Sequence, residues 1–242
     1  MMKAPKGQMI TQFDMLDSDY QGGLKLDFLT IESLDRIRKC MTLMLEDKVM
    51  EWQGSLRKTY NKYLHPDVLD YEDEYMWGLF RAGEVLDAFQ YDSIQGMNAI
   101  SIINPENFQQ LCDGNALMRL TCEGEQPINR YRRFKDNISL WYQEMKDYGL
   151  TDDEIAIMRK HLDKTLGVAP TQESVMRLSM DENIGNFSLV WSNKLRKAIA
   201  KSYAKDLIQT VHDELIKQGM NNGARKTFLD YVWETCVVPQ LG

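Results

Sequence analysis

Two long stretches of amphipathic spacing, residues 31–64 and 182–218, constrain this chain more than any other feature. In the first, Leu34, Ile37, Met41, Met44, Leu45, Val49, Trp52, Leu56, Tyr60 and Tyr63 recur in steps of three and four. That rhythm lays one apolar face along a helix of about 50 Å. Gly54 is its weak point, and His65-Pro66 ends it, because the residue before a proline avoids the helical region. In the second stretch Phe187, Val190, Leu195, Ile199, Tyr203, Leu207, Val211 and Leu215 carry the stripe. From Leu195 onward each step is four, which overshoots one helical turn by about 40°. The stripe therefore winds, and the two ends of this helix meet different neighbours. Gly219 and Asn221-Asn222-Gly223 close it.

Shorter helical signals fill the space between. Asp73 or Glu74 starts a helix predicted to reach Tyr91, and Asn104-Pro105-Glu106 is a capped start with proline at the first position. One short helix then runs to Cys112 and another from Asn115 to Cys122, while 97–103 reads as strand or loop. Residues 123–127 are the clearest break. A helix over 128–148 follows, with Gly149 as its C-cap, and Thr151-Asp152-Asp153-Glu154 opens another with a capping box. A final helix spans 224–237. Leu24-Lys25-Leu26-Asp27-Phe28 alternates as a short strand would, and Thr30 or Ser33 offers an N-cap to the first long helix. The expected fold is an all-α bundle on two long amphipathic helices with at most a short β pair. Residues 1–23 form an extended arm, and 24–242 form one domain with a possible sub-boundary at 123–127. Met9, Ile10, Phe13 and Leu16 are the arm's candidate docking residues, with Met15 beside them.

Bulk properties exclude several classes. The 242 residues suffice for a real core without staples. No apolar run approaches the roughly 18 residues that span a bilayer, and the N-terminus lacks the apolar segment of a secretory signal. A cytosol-like compartment with no membrane partner is expected. Cys40, Cys112, Cys122 and Cys236 are widely spaced without C-x-x-C, which reads as buried thiols and not as a disulfide framework or zinc site. His65, His161 and His212 form no metal-binding motif, and no glycine-rich phosphate loop or nucleophile elbow occurs. No cofactor or metal is implied.

Charge is uneven, although the net value is −7. Asp67, Asp70, Glu72, Asp73 and Glu74 form an acidic stretch, read as a solvated run of acids before a helix or as a surface for a basic partner. Lys194, Arg196, Lys197, Lys201 and Lys205 make a basic helical face, with Lys197, Lys201 and Lys205 four apart. Arg130, Arg132, Arg133 and Lys135 interleave with Tyr131 and Phe134 in a second basic cluster. Either group can meet phosphates; the plainer reading has the aromatics in the core and the bases solvated or paired with acids.

The two long helices, the arm over 1–23 and the tail Val237-Val238-Pro239-Gln240-Leu241-Gly242 together resemble the helical head–tail connector (adaptor, or ring) proteins of tailed bacteriophages. The resemblance implies a structural subunit with no enzymatic role that forms a homo-oligomer, such as a dodecameric ring, around the DNA channel. It also implies portal and tail partners, an acidic lumen at Asp67–Glu74, and residence in the virion after assembly in the host cytoplasm. The alternative is a nucleic-acid-binding regulator or packaging factor using the basic faces. An enzyme with an unfamiliar helical site is the third reading, and it requires two acids and a histidine to converge.

Overall fold

The computed structural model describes residues 2–3, 5–24, 26, 31–86, 88–201 and 203–242. The expected strand over 24–28 and the Thr30 cap rest on Lys25, Asp27, Phe28 and Thr30, which lie outside those residues. The described chain is mainly helical, as the spacing predicts. Its one sheet is a two-residue antiparallel pair, β1 (Met2–Lys3) with β2 (Met9–Ile10), in which Met2 faces Ile10 and Lys3 faces Met9. The chain divides into two compact units, Met1–His65 and Pro66–Gly242. That division falls at His65-Pro66, and neither the end of the arm at residue 23 nor the break at 123–127 separates the units.

In the first unit β1 and β2 precede α1 (Met15–Tyr20), α2 (Glu32–Glu46) and α3 (Leu56–Tyr63). The helix expected over 31–64 is therefore two helices. Lys48 and Gly54 both take left-handed backbone, with φ of 59° and 84°. Ser55 then caps α3, its hydroxyl accepting from the Lys58 amide at 3.2 Å. Side chains of α3 hold the intervening loop. The Thr59 hydroxyl accepts from the Gln53 amide at 3.1 Å and donates to the Ser55 carbonyl at 2.9 Å, and the Tyr63 hydroxyl accepts from the Glu51 amide at 3.3 Å. Apolar spacing does not register these bonds. Val49 and Trp52 keep the three-four rhythm yet are 68% and 57% exposed, while Met41 and Met50 are buried.

The second unit begins with a 3₁₀ turn, Pro66–Val68, and α4 (Glu74–Arg81). Left-handed Gly83 stops α4 well short of Tyr91. Ser93 caps α5 (Ile94–Ile103), accepting from the Gly96 amide at 3.1 Å, so the stretch read as strand or loop is helical. Asn107 caps α6 (Phe108–Leu117), which replaces two expected short helices. The helix predicted over 128–148 is α7 (Pro127–Asp136) and α8 (Ser139–Tyr148), parted by extended Asn137. Left-handed Gly149 ends α8, and both bonds of the capping box at Thr151 and Glu154 open α9 (Asp152–Leu162). A 3₁₀ turn at Asp163–Thr165 leads to α10 (Gln172–Met180).

The second expected long helix is also two, α11 (Leu189–Ala200) and α12 (Lys205–Asn221). Leu195 and Ile199 are buried from α11 and Val211 and Leu215 from α12, while Tyr203 between them is 79% exposed. α13 (Lys226–Val232) continues through a π-helical turn, Trp233–Val237, into α14 (Val238–Leu241).

Trp141 is fully buried at the centre of this unit's core, beside Phe134 and Tyr142. Gly167 has φ of 76°, and a Cβ there would lie 2.5 Å from Trp141 Cδ2. We expect Gly167→Ala to destabilise the chain by about 2–4 kcal/mol, combining overpacking with left-handed strain. Gly223→Ala, with φ of 96° and open space around it, should lose only about 1–2 kcal/mol. Urea denaturation of the two variants checks the difference.

Candidate nucleic-acid interface

The acidic stretch is built as a helix start. Asp73 caps α4, its Oδ1 accepting from the amides of Tyr75 at 2.9 Å and Met76 at 3.4 Å. Asp70 accepts from the Glu72 amide at 2.9 Å, and Glu74 pairs with Arg81 at 2.9 Å. Asp67, Asp70, Glu72, Asp73 and Glu74 are all exposed, and no three His, Cys, Asp or Glu side chains group to hold a metal ion among the described residues. In the first unit Met9, Ile10, Phe13 and Leu16 are exposed as well.

The basic cluster on α7 is bound up in ion pairs. Arg130 spans both Glu144 oxygens from within the core and lies 4.8 Å from the Phe134 ring centroid. Arg133 grips Glu125 with two bonds of 2.9 and 2.7 Å, holding that carboxyl below the usual carboxylate range. Arg132 pairs with Asp136 at 2.9 Å. Lys135 donates to the Ile103 and Asn104 carbonyls at the end of α5, and burial pulls its ammonium below the ordinary lysine value. Tyr131 donates to the buried Asp113 carboxylate at 2.9 Å.

The face from Lys194 to Lys205 is built differently. Lys194, Lys197, Lys201 and Lys205 are exposed, and among the described residues no carboxylate pairs with any of them. The Lys194 ammonium lies 3.9 Å from the Trp191 ring centroid. The expected ridge on one continuous helix is not formed. Lys197 lies in the last turn of α11, Lys201 caps that helix, and Lys205 begins α12. Buried Leu195, Ala198 and Ile199 anchor the opposite side of α11, which turns the lysines outward. The result is a row of ammonium groups around a helix junction, suited to phosphate contact without base reading.

The remaining sequence candidates are structural. The His212 ring packs 4.5 Å from Trp233, and His65 lies edge-on to Tyr60. All four cysteines are free, and only Cys236 is buried; Cys40 and Cys112 are exposed, contrary to the reading of four buried thiols.

A family model of the bacterial DNA polymerase III alpha subunit finger domain matches residues 44–223. The probable DNA polymerase YorL of Bacillus subtilis (strain 168) is 44% identical over 243 residues, covering 100% of this chain and 18% of that relative. The DNA-directed DNA polymerase of Bacillus phage SPbeta matches with the same figures. The DNA polymerase III subunit alpha of Ureaplasma parvum serovar 3 is 24% identical over 227 residues, covering 93% of this chain and 20% of its own length. The chain thus spans about a fifth of the curated relatives it matches. These matches overturn the connector resemblance and what it implied: the non-enzymatic role, the ring, the portal and tail partners and the virion location. The relatives are polymerases, which are enzymes. The regulator or packaging-factor alternative finds no support in them either. Long helices with an arm are an architecture that unrelated functions share, and no motif tied them to a connector.

The α7 pairs yield a prediction. Arg130→Met removes the two-bond partner of the partly buried Glu144 carboxylate, which among the described residues keeps only Arg133 at 3.5 Å and the Tyr231 hydroxyl, and should destabilise the fold by about 1–3 kcal/mol. Arg132→Ala removes an exposed pair and should shift stability by no more than about 0.5 kcal/mol. Thermal unfolding of both variants reads the contrast.

Proposed function

The chain belongs to the finger-domain family of bacterial DNA polymerase III alpha subunits, and from this we propose that it forms the part of a DNA polymerase that grips phosphate groups of the DNA substrate. The row Lys194, Lys197, Lys201 and Lys205 carries the reading. These four ammonium groups face solvent without acidic partners among the described residues, in a chain of net charge −7, and they lie inside the family-matched residues.

Lysine suits this work because its compact charge meets a phosphate from many directions without demanding one geometry. A polymerase handles every sequence it copies, so contacts that position the backbone and ignore base edges fit its task. Each lysine that neutralises a phosphate releases a condensed counterion, so binding weakens steeply with salt. Net negative charge elsewhere opposes indiscriminate adsorption and concentrates attraction at this face. Arg130, Arg132 and Arg133 are excluded from the proposed contact because their guanidinium groups already serve Glu144, Asp136 and Glu125.

Fluorescence anisotropy with a primer–template duplex over a salt series tests the proposal. The variant Lys197→Ala/Lys201→Ala/Lys205→Ala should bind more weakly, and its slope of log K against log salt should fall by about one for each phosphate no longer neutralised. Arg132→Ala should leave both quantities unchanged. Absence of binding at low salt, or full binding by the triple variant, contradicts the assignment.

A further inference from the structure

A second group of bases, remote in sequence from the lysine row, surrounds a cavity of about 440 Å³ in the Pro66–Gly242 unit. Its walls come from the last turn of α9, the following 3₁₀ turn and α10, and they carry Arg159, Lys160, His161, Lys164, Ser174 and Arg177 together with one carboxylate, Asp163. A volume of this order accepts a small organic phosphate.

Bases in the last turn of a helix complement its dipole, which accounts for Arg159 and Lys160. Both are also answered by acids. Arg159 pairs with Asp163 at 3.3 Å, and Asp181 takes Lys160 at 2.9 Å and His161 at 2.8 Å through the same oxygen. Burial pushes the Asp181 carboxyl up, but the Asn183 amide, Lys160 and His161 outweigh it and hold the group far below the usual carboxylate range. Asp181 therefore stays ionised and is consumed by its two partners. Lys164 and Arg177 are not explained this way. They lie beyond α9, on the 3₁₀ turn and on α10, both exposed, and neither has an acidic partner among the described residues.

Ser174 adds a directed donor. Its side chain is nearly buried, and its Oγ lies 3.1 Å from Thr171 Oγ1. Two hydroxyls share that contact and only one proton is needed between them. When Thr171 donates, the Ser174 proton is free for another acceptor. Two unanswered cations and a hydroxyl around one concavity match the charge and acceptor capacity of a tetrahedral oxyanion.

We propose that this cavity binds a phosphate group, held by Lys164 and Arg177 with the Ser174 hydroxyl as a further donor. The group comes either from a free phosphate such as pyrophosphate or from a nucleic-acid terminus or backbone.

Isothermal titration of the 242-residue chain with pyrophosphate at low ionic strength tests the site. The expected result is saturable one-to-one binding, weakened roughly tenfold or more in Lys164→Ala/Arg177→Ala. The control Lys197→Ala/Lys201→Ala should leave it unchanged, and far-UV circular dichroism should show native helicity in both variants. A competing 5′-phosphorylated oligonucleotide separates the sources. Displacement of pyrophosphate assigns the site to nucleic-acid phosphate, and pyrophosphate binding without displacement assigns it to the free anion. The proposal is overturned by absence of saturable binding, by undiminished binding in the Lys164/Arg177 variant, or by an equal loss in the control.

Discussion

A buried polar chain through Trp141 organises the larger unit. The Trp141 indole donates to the Tyr231 hydroxyl at 3.2 Å, Tyr231 donates to Glu144 at 3.1 Å, and Arg130 closes the chain on the same carboxylate. The consecutive helices α7 and α8 are thereby tied at one point to α13, about eighty residues further along the chain. This partly buried charge pair is tolerated because most of its hydrogen bonds are made, Arg130 Nε alone of its guanidinium nitrogens lacking a partner among the described residues. Burial and the Glu144 charge together push the Tyr231 hydroxyl far above its ordinary value, so it remains a neutral donor throughout the physiological range. Gly167, lying against the indole, lets the chain pass close enough for α9 and α10 to join the same core.

The α-class of the fold was legible because helical period is a strong signal, and so were features that depend on two or three adjacent residues. Thr151 with Glu154, and Gly149, behave as their local chemistry dictates, whereas Asn104-Pro105-Glu106 starts no helix: Asn104 is the left-handed C-cap of α5, and Asn107 caps α6. Helix length was not legible. Both long helices break where the apolar rhythm continues, and in the first the reasons lie in bonds the rhythm does not encode. Thr59 holds a loop several residues away, and Lys48, which carries a Cβ, adopts a left-handed backbone. At Asn137 the interruption comes from an asparagine side chain bonding the Ser139 amide, a competition that single-residue propensity only weakly announces.

Legibility of the candidate site divides along the same line. The lysine row could be found because its bases are close in sequence. The α7 cluster looked equivalent in sequence, yet its acids, Glu125, Asp136 and Glu144, approach from separate turns. The cavity lined by Lys164 and Arg177 escaped notice because its residues are spread over three elements whose folding alone brings them together. Family membership was not legible at all from general patterns. Finger-domain likeness resides in which residues occupy many positions at once, and no short motif condenses it.

The junction between α11 and α12 has one more implication. Charges set along an unbroken helix inherit their spacing from its pitch, and the core holds that spacing constant. Lys197, Lys201 and Lys205 instead straddle a non-helical connection. Their separation is thus a property of a few backbone torsions, outside the hydrophobic interior. Evolution can retune the reach of this row by altering the connector alone, leaving Leu195 and Val211 in their seats. The charge pattern and the scaffold beneath it are separately adjustable parts.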